Sequence, residues 1–173
     1  IRLQVGRPVL PMLASSAPTV TEALTKLGAG VPVAVEAKLD GIRVQAHKRG
    51  AEVGIYSRSL DDITARLPEI AAAVAALPCT SCVLDGEALA VGLDGRPKPF
   101  QETAARSASA ADPAGLALST YFFDLLEVDG EDLVDATTAQ RYERLAALVP
   151  EAGRVARLVA ADPVEAEEIP RCV

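Results

Sequence analysis

The sequence is poor in aromatic residues, histidine and methionine. Aromatic residues make up 3% of the chain, tryptophan is absent, and histidine and methionine occur once each. A hydrophobic core must therefore be built mainly from alanine, valine, leucine and isoleucine, since 50% of all residues are hydrophobic. In 173 residues that is enough apolar material for one domain with a single core, and it argues against a disordered chain.

Cysteine is scarce as well. The three cysteines form an odd number, which does not suggest a disulfide framework. Cys79 and Cys82 have the spacing of half a zinc site, but no second pair of ligands follows, and structural zinc needs four. We interpret them as two ordinary cysteines at the start of a strand.

Long apolar runs and a secretion signal are also missing. No apolar run approaches the length that crosses a bilayer, and the first residues lack the basic-then-apolar pattern of a signal peptide. We therefore expect a cytoplasmic protein that does not associate with membranes.

Positive charge is in short supply, with 17 Lys and Arg against 24 Asp and Glu and a net charge of −7. Contacts from Lys and Arg to phosphates set much of the affinity of a protein for duplex DNA. Such a chain would bind DNA only through a local basic face or through further domains. The basic residues between Arg43 and Arg49, and the pair Arg96 and Lys98, are interpreted as solvated strand ends and turns. His47, which alternation places on the Arg43 face, is expected to be solvent-exposed and structural.

Hydrophobic periodicity predicts an α+β fold in which strands outnumber helices. Apolar and polar residues alternate after the turn at Asp40-Gly41, and the next strand lies within hairpin reach, which favours antiparallel pairing. The predicted strands are residues 33–38, 42–48, 52–57, 83–91, 121–128 and 155–159. The predicted helices are a short one ending at Gly28, one from a Ser59 cap through Pro68 to about Leu77, and residues 101–106, 138–148 and 164–168.

The central motif is Lys38 followed by Asp40-Gly41 and, five residues after the lysine, Arg43. A lysine at a strand end before an Asp-Gly turn presents its amine from a constrained position. The same turn also occurs by chance, so the motif alone is compatible with a non-catalytic α+β binding module.

Three further elements strengthen the catalytic interpretation: Arg58 at the end of the third strand, Glu87 after Asp85-Gly86, and Phe123 before an aspartate. Their order and spacing resemble those of the covalent nucleotidyltransferase superfamily. Within it the chain looks most like ATP-dependent DNA ligases of the archaeal and actinobacterial type, and residues 7–14, 57–64 and 99–103 resemble the flanking segments of those enzymes.

The resemblance implies an ATP-grasp-like nucleotidyltransferase (DNA ligase adenylation) domain with mostly antiparallel sheets. Residues 1–173 would form a partial domain, incomplete on its C-terminal side. The Glu-Gly strand and the Lys-rich strand that follow in the family are not present, nor are its DNA-binding and OB domains. We therefore expect that this chain alone does not seal nicks.

The resemblance also implies residue roles. Lys38 would attack the α-phosphate of ATP, release pyrophosphate and form a lysyl-AMP intermediate. Arg43 and Arg58 would approach the ribose and phosphates, and later the 5′-phosphate of nicked double-stranded DNA. A lysine amine must lose its proton before it attacks, and burial together with nearby cations would favour that loss.

The remaining nucleotide-binding roles fall to four residues. Glu36 would face the adenine edge, Leu39 would line the nucleotide site, Glu87 would hold the ribose hydroxyl and Phe123 would stack on the adenine. Mg²⁺ or Mn²⁺ would assist, with Glu87 or Asp40 as ligands. The protein is expected to be a monomer.

Several alternatives remain open at this point. An RNA ligase or an mRNA-capping guanylyltransferase of the same superfamily would use a different acceptor or nucleotide. Glu87 could be an exposed strand residue and Phe123 a core residue. Arg58 could be a surface partner of Asp61 or Asp62.

Overall fold

The computed structural model describes residues 3–108 and 116–169, which form two compact units. One unit comprises the described parts of 1–10 and 40–154, and the other those of 11–39 and 155–173. Among the described residues, no helix combines the length and the apolar character that a bilayer span requires. Numbered along the chain, the strands are β1 (Val33–Glu36), β2 (Ile42–Arg49), β3 (Glu52–Ser57), β4 (Ser81–Val91), β5 (Ala117–Val128), β6 (Glu131–Asp132) and β7 (Arg157–Ala160). The α-helices are α1 (Val20–Gly28), α2 (Pro68–Ala75), α3 (Phe100–Ser107), α4 (Thr138–Leu148) and α5 (Pro163–Glu167).

The larger unit is built on a five-stranded sheet in the order β3-β2-β4-β5-β6, and every neighbouring pair is antiparallel. Its hydrophobic core contains Val44 and Ala46 of β2, as their alternation in the sequence predicts. Helices α2 and α4 add Val74 and Leu145 to the same core. The expectation of an α+β fold with mostly antiparallel sheets is thereby confirmed.

The smaller unit pairs β1 with β7 in an antiparallel ribbon. Helices α1 and α5 contribute Leu24 and Ala166 to a small core with Ala160. Side chains cap both helices: the Thr19 hydroxyl accepts the N–H of Glu22, and the Asp162 carboxylate accepts the first amides of α5.

The predicted helix start at Ser59 is wrong. The chain turns instead at Leu60, whose φ is +71°, and the Ile63 N–H donates to the Ile55 carbonyl of β3. A short 3-10 helix follows at Thr64–Arg66, and α2 begins only at Pro68. Pairing with the strand satisfies backbone groups that a helix would have used, so it overrides the local capping signal.

Two of the basic residues interpreted as solvated are in fact buried. Lys48 is 5% exposed, and its Nζ donates to the carbonyl oxygens of Ala75 (2.8 Å) and Leu77 (2.6 Å) at the end of α2. His47 is 2% exposed, against the expectation of a solvent-exposed role. Strand alternation predicted which face these side chains occupy but not that other segments cover both faces.

The N-terminal segment covers His47. Its Nδ1 accepts the N–H of Gly6 at 2.9 Å, so the proton is on Nε2, which donates to Gln45 Oε1 at 2.9 Å. The Gln45 side chain in turn exchanges two hydrogen bonds with the backbone of Val9 (2.9 and 3.1 Å). Two side chains of β2 thus fix the segment before Leu10 to the sheet.

Burial lowers the pKa of His47 from 6.5 to about 4, so the protein is expected to lose stability in mild acid. The unfolded chain takes up this proton below pH 6.5 and the folded chain only near pH 4, so stability is present above 6.5 and falls as the pH drops through this window. The loss from this group between pH 7 and pH 5 is about 2 kcal/mol. Urea unfolding at both pH values measures it.

The matched variant for this experiment is His47→Asn, whose Oδ1 can still accept the Gly6 amide. The difference in unfolding free energy between wild type and variant is expected to shrink by about 2 kcal/mol from pH 7 to pH 5. A difference that is independent of pH would show that His47 does not cause the acid sensitivity.

Candidate active site

Lys38 lies two residues after the end of β1 in the smaller unit. The pairing of β1 continues one step past Glu36, since the Ala37 N–H donates to the Ala156 carbonyl at 3.0 Å. Lys38 is exposed, so the predicted burial of this amine is not found. Its Nζ donates to the carbonyl of the next residue, Leu39, at 2.8 Å, and the Leu39 side chain is itself buried.

Glu36, the last residue of β1, forms an ion pair within the same ribbon. Its Oε1 lies 3.1 Å from Nη1 of Arg157, which is its cross-strand partner on β7. The carboxylate that was predicted to face the adenine edge is therefore held in the structure by a cation of the smaller unit.

In the larger unit, the Asp40-Gly41 turn is anchored to β4. The Gly41 N–H donates to Glu87 Oε1 at 3.1 Å. A Cβ at position 41 would lie 2.1 Å from the Ala88 carbonyl oxygen and 2.6 Å from Leu89 Cδ2. The turn must carry glycine because the backbones approach more closely than any side chain allows. Asp40 itself is exposed.

Arg43 lies beside Glu87 and forms an ion pair with a second carboxylate of β4. Arg43 and Glu87 are cross-strand partners in the β2–β4 pairing. The Arg43 guanidinium forms a two-pronged ion pair with Asp85, Nε to Oδ1 at 2.5 Å and Nη2 to Oδ2 at 2.6 Å. Its Cζ lies 4.8 Å from the centroid of the Phe123 ring, within cation–π range.

The pKa of Asp85 shows the competing influences at this pair. Burial of the carboxyl raises its pKa, the hydrogen bonds from Arg43 oppose that rise, and the nearby charge of Asp124 adds to it. The ion pair with Arg43 therefore offsets part of the cost of burying the Asp85 carboxylate.

An irregularity in β5 separates the two neighbouring phenylalanines. The pairing with β4 shifts register between Asp85 and Gly86, whose partners on β5 are Asp124 and Phe122, so Phe123 is the extra residue of a β-bulge. Phe122 is 5% exposed and belongs to the hydrophobic core. Phe123 is half-buried beneath Arg43, so it is not a residue of the hydrophobic core, as the alternative interpretation had it.

Arg58 follows β3 and is exposed. The neighbouring carboxylates of Asp61 and Asp62 accept hydrogen bonds from the hydroxyl groups of Ser59 and Thr64. These bonds hold the turn after β3 and leave the Arg58 side chain on the surface.

No group of three or more His, Cys, Asp or Glu side chains in the described part of the chain is arranged to hold a metal ion. The predicted ligands Asp40 and Glu87 fit Mg²⁺ as single carboxylates whose coordination is completed by water and nucleotide phosphates, the usual arrangement at phosphoryl-transfer sites.

Sequence reasoning did not assign roles to Asp85, Asp124 and Arg141. The signal for Asp85 was present in strand alternation: it lies two residues before Glu87, so it projects from the same face of β4. Arg141 lies on α4 and approaches Asp124 only in the folded chain, and no sequence pattern indicates that contact.

The family model described as ATP dependent DNA ligase domain matches residues 11–172. The chain belongs to this family. It is 57% identical over 168 residues to a "Probable DNA ligase" of a Nocardioides species, covering 97% of this chain and 32% of that protein. With a "Probable DNA ligase" of Streptomyces griseus it shares 58% identity over 166 residues, covering 94% and 32%. The chain thus spans about a third of the length of the curated relatives it matches.

Solved structures of the family are similar as well. The ligase domain of M. tuberculosis LigD superposes with a TM-score of 0.64 at 28% identity, covering 91% of this chain and 48% of that one. A mycobacterial DNA ligase D solved with ATP and MES gives a TM-score of 0.63 at 27% identity, with the same coverage. These likenesses agree with the resemblance inferred from the motifs.

Proposed function

We propose that this chain is the adenylation part of an ATP-dependent DNA ligase in which Lys38 carries AMP. The observation that supports this best is the arrangement around Arg43, which lies beside Glu87 on the neighbouring strand and over the ring of Phe123. A cation, a carboxylate and an aromatic face together match the phosphate, ribose and base of a nucleotide. Membership of the ligase family supports the same conclusion.

In the proposed reaction the exposed Lys38 amine gives up a proton to solvent water, and its nitrogen bonds to the α-phosphorus of ATP. The bond from that phosphorus to the bridging oxygen breaks, and pyrophosphate leaves. The hydrogen bond from Nζ to the Leu39 carbonyl orients the amine, because a nitrogen that donates to this oxygen directs its lone pair elsewhere. Leu39 thus contributes its backbone to the positioning of the nucleophile.

The arginines serve the charge that develops on the phosphate oxygens. Guanidinium groups donate hydrogen bonds in pairs and suit phosphate oxygens. Two donors of Arg43 are occupied by Asp85, and the remainder of its guanidinium edge is left for a nucleotide. Arg58, exposed after β3, is proposed to bind phosphate in the same reaction and the 5′-phosphate of the nick later.

The base and sugar are assigned to the other predicted residues. Phe123 is assigned to stack on adenine. Stacking does not distinguish one flat base from another, so Glu36 is assigned to provide selectivity by contacting the adenine edge. Glu87 holds the ribose hydroxyl with the carboxylate that Gly41 positions. Mg²⁺ or Mn²⁺, held by Glu87 or Asp40 with the phosphates, would supply positive charge.

The partner proposed for the whole protein is nicked double-stranded DNA, sealed by a cytoplasmic monomer. The net charge of −7 makes strong DNA binding by this part alone unfavourable, since duplex affinity depends on Lys and Arg contacts. The basic DNA surface is therefore assigned to other parts of a longer protein.

Intact-mass analysis after incubation with ATP and Mg²⁺ tests the proposal. We expect a mass increase of one AMP with ATP and no increase with GTP. A GMP adduct would indicate a capping-type guanylyltransferase, and no adduct with either nucleotide, in the longest form of the protein, would favour a non-catalytic module. Transfer of the AMP to a nicked DNA duplex but not to a nicked RNA duplex would separate a DNA ligase from an RNA ligase.

A further inference from the structure

Two carboxylates lie side by side next to Arg43. Asp85 of β4 and Asp124 of β5 are register partners in the antiparallel pairing. Like charges at directly opposite positions of a sheet repel each other. The arrangement is stable only if each carboxylate has a cation, and each has one.

The second cation is Arg141, on the first turn of α4. Its Nε lies 2.8 Å from Asp124 Oδ1 and its Nη2 lies 3.2 Å from Oδ2, while Nη1 donates to the Ala136 carbonyl at 2.7 Å. The side chains are 18% and 26% exposed, so the pair is largely shielded from water. The two neighbouring carboxylates are thus neutralised by two separate ion pairs, Arg43 with Asp85 and Arg141 with Asp124.

This pairing bears on Arg43 because its guanidinium has three carboxylates within electrostatic reach, those of Asp85, Glu87 and Asp124. The two-pronged pair with Asp85 holds it over Phe123. If Asp124 had no cation of its own, we expect that its charge would draw Arg43 to a position shared between Asp85 and Asp124, away from the ring.

We infer that Arg141 is a positioning residue. By neutralising Asp124 it allows Arg43 to stay paired with Asp85, and this pairing keeps Arg43 over the Phe123 ring. The consequence for nucleotide binding rests on the function proposed above. The competing explanation is that Arg141 only docks α4 against β5. The two explanations differ in what they predict for the position of Arg43 once Arg141 is lost. If Arg141 only docks α4, removing the charge of Asp124 as well does not bring Arg43 back. If Arg141 neutralises Asp124, removing that charge does bring Arg43 back.

The test is made first on the protein without nucleotide, by NMR of the arginine Nε–H groups. The Arg43 signal is assigned from its absence in Arg43→Lys, and Phe123→Leu gives its position without the ring. In Arg141→Gln we expect the Arg43 signal to move away from its wild-type position. In the double variant Arg141→Gln with Asp124→Asn we expect it to return, since the competing charge of Asp124 is then absent.

An Arg43 signal that does not move in Arg141→Gln would overturn the inference. A signal displaced equally in the single and double variants would do the same, since that is the result of lost docking. If Arg141→Gln does not fold, the double variant decides: a folded protein with the wild-type Arg43 signal supports the inference, and an unfolded one contradicts it.

Adenylation gives a second readout. Arg141→Gln is expected to raise the ATP concentration for half-maximal lysyl-AMP formation at least about fivefold, and the double variant to bring it back to within about twofold of wild type, an effect of about 1 kcal/mol. A wild-type protein that forms no adduct would count against the proposed function alone, because the NMR result does not depend on it.

Discussion

Replacing Lys38 with alanine is expected to abolish covalent attachment of AMP, by at least about 1,000-fold in the rate of adduct formation, because the attacking nitrogen itself is removed. Because the lost function belongs to one nitrogen atom, we expect the variant to keep the stability of the wild-type protein. Lys38 is exposed, and its Nζ donates to the adjacent Leu39 carbonyl. Intact mass after incubation with ATP, together with a thermal melt, measures both quantities.

Two control variants make the Lys38 experiment specific. Lys26→Ala removes an exposed lysine from the last turn of α1 in the same unit and should leave the adduct intact. Lys38→Arg keeps the positive charge but not a nucleophilic amine, and should be as inactive as alanine. An adduct that survives in Lys38→Ala and maps to a different residue would move the nucleophile elsewhere.

Replacing Gly41 with alanine is expected to cost about 3 kcal/mol of stability, and to abolish adduct formation as well. The new methyl group would lie 2.1 Å from the Ala88 carbonyl oxygen, so the backbone of the turn or of β4 must move. Either movement breaks the hydrogen bond from the Gly41 N–H to Glu87, which positions the carboxylate. Urea unfolding and intact-mass analysis of the same sample give the two effects.

A graded control separates this effect from the general cost of adding a methyl group. A Cβ at Gly153 would meet one atom of the Val149 side chain, at 3.1 Å, and a side chain can give way where a backbone cannot. Gly153→Ala should therefore cost less than about 1 kcal/mol and keep the adduct. Equal losses in the two variants would contradict a special role for the Gly41 turn.

Local pattern predicted much of the fold. The alternation in β2 and β3 indicated an antiparallel hairpin, and the predicted limits of β3 and α4 coincide with the observed ones. Helix α4 begins with a capping box between Thr137 and Gln140. Such elements are predictable because the signals that specify them lie within a few residues of each other.

Contacts between distant segments were not predictable in the same way. Pairing of Ile63 with β3 replaced the helix expected after Ser59, and coverage by the N-terminal segment buried His47. In the site, Arg43 and Glu87 were predicted as functional residues, but the ion pair between Asp85 and Arg43 was not predicted. A sequence pattern indicates that a side chain is charged, but only the folded chain determines which opposite charge lies beside it.

The sequence by itself determined the family of this protein, the antiparallel α+β class and the residues proposed for catalysis, because motif order and periodicity are properties of the chain alone. The tertiary structure decided how those residues are held: the glycine-tight turn against β4, the bulge that turns Phe123 out of the core, and the pairing of Arg43 and Arg141 with two adjacent carboxylates. These features depend on the register between strands and on the docking of α4, which join residues far apart in the chain.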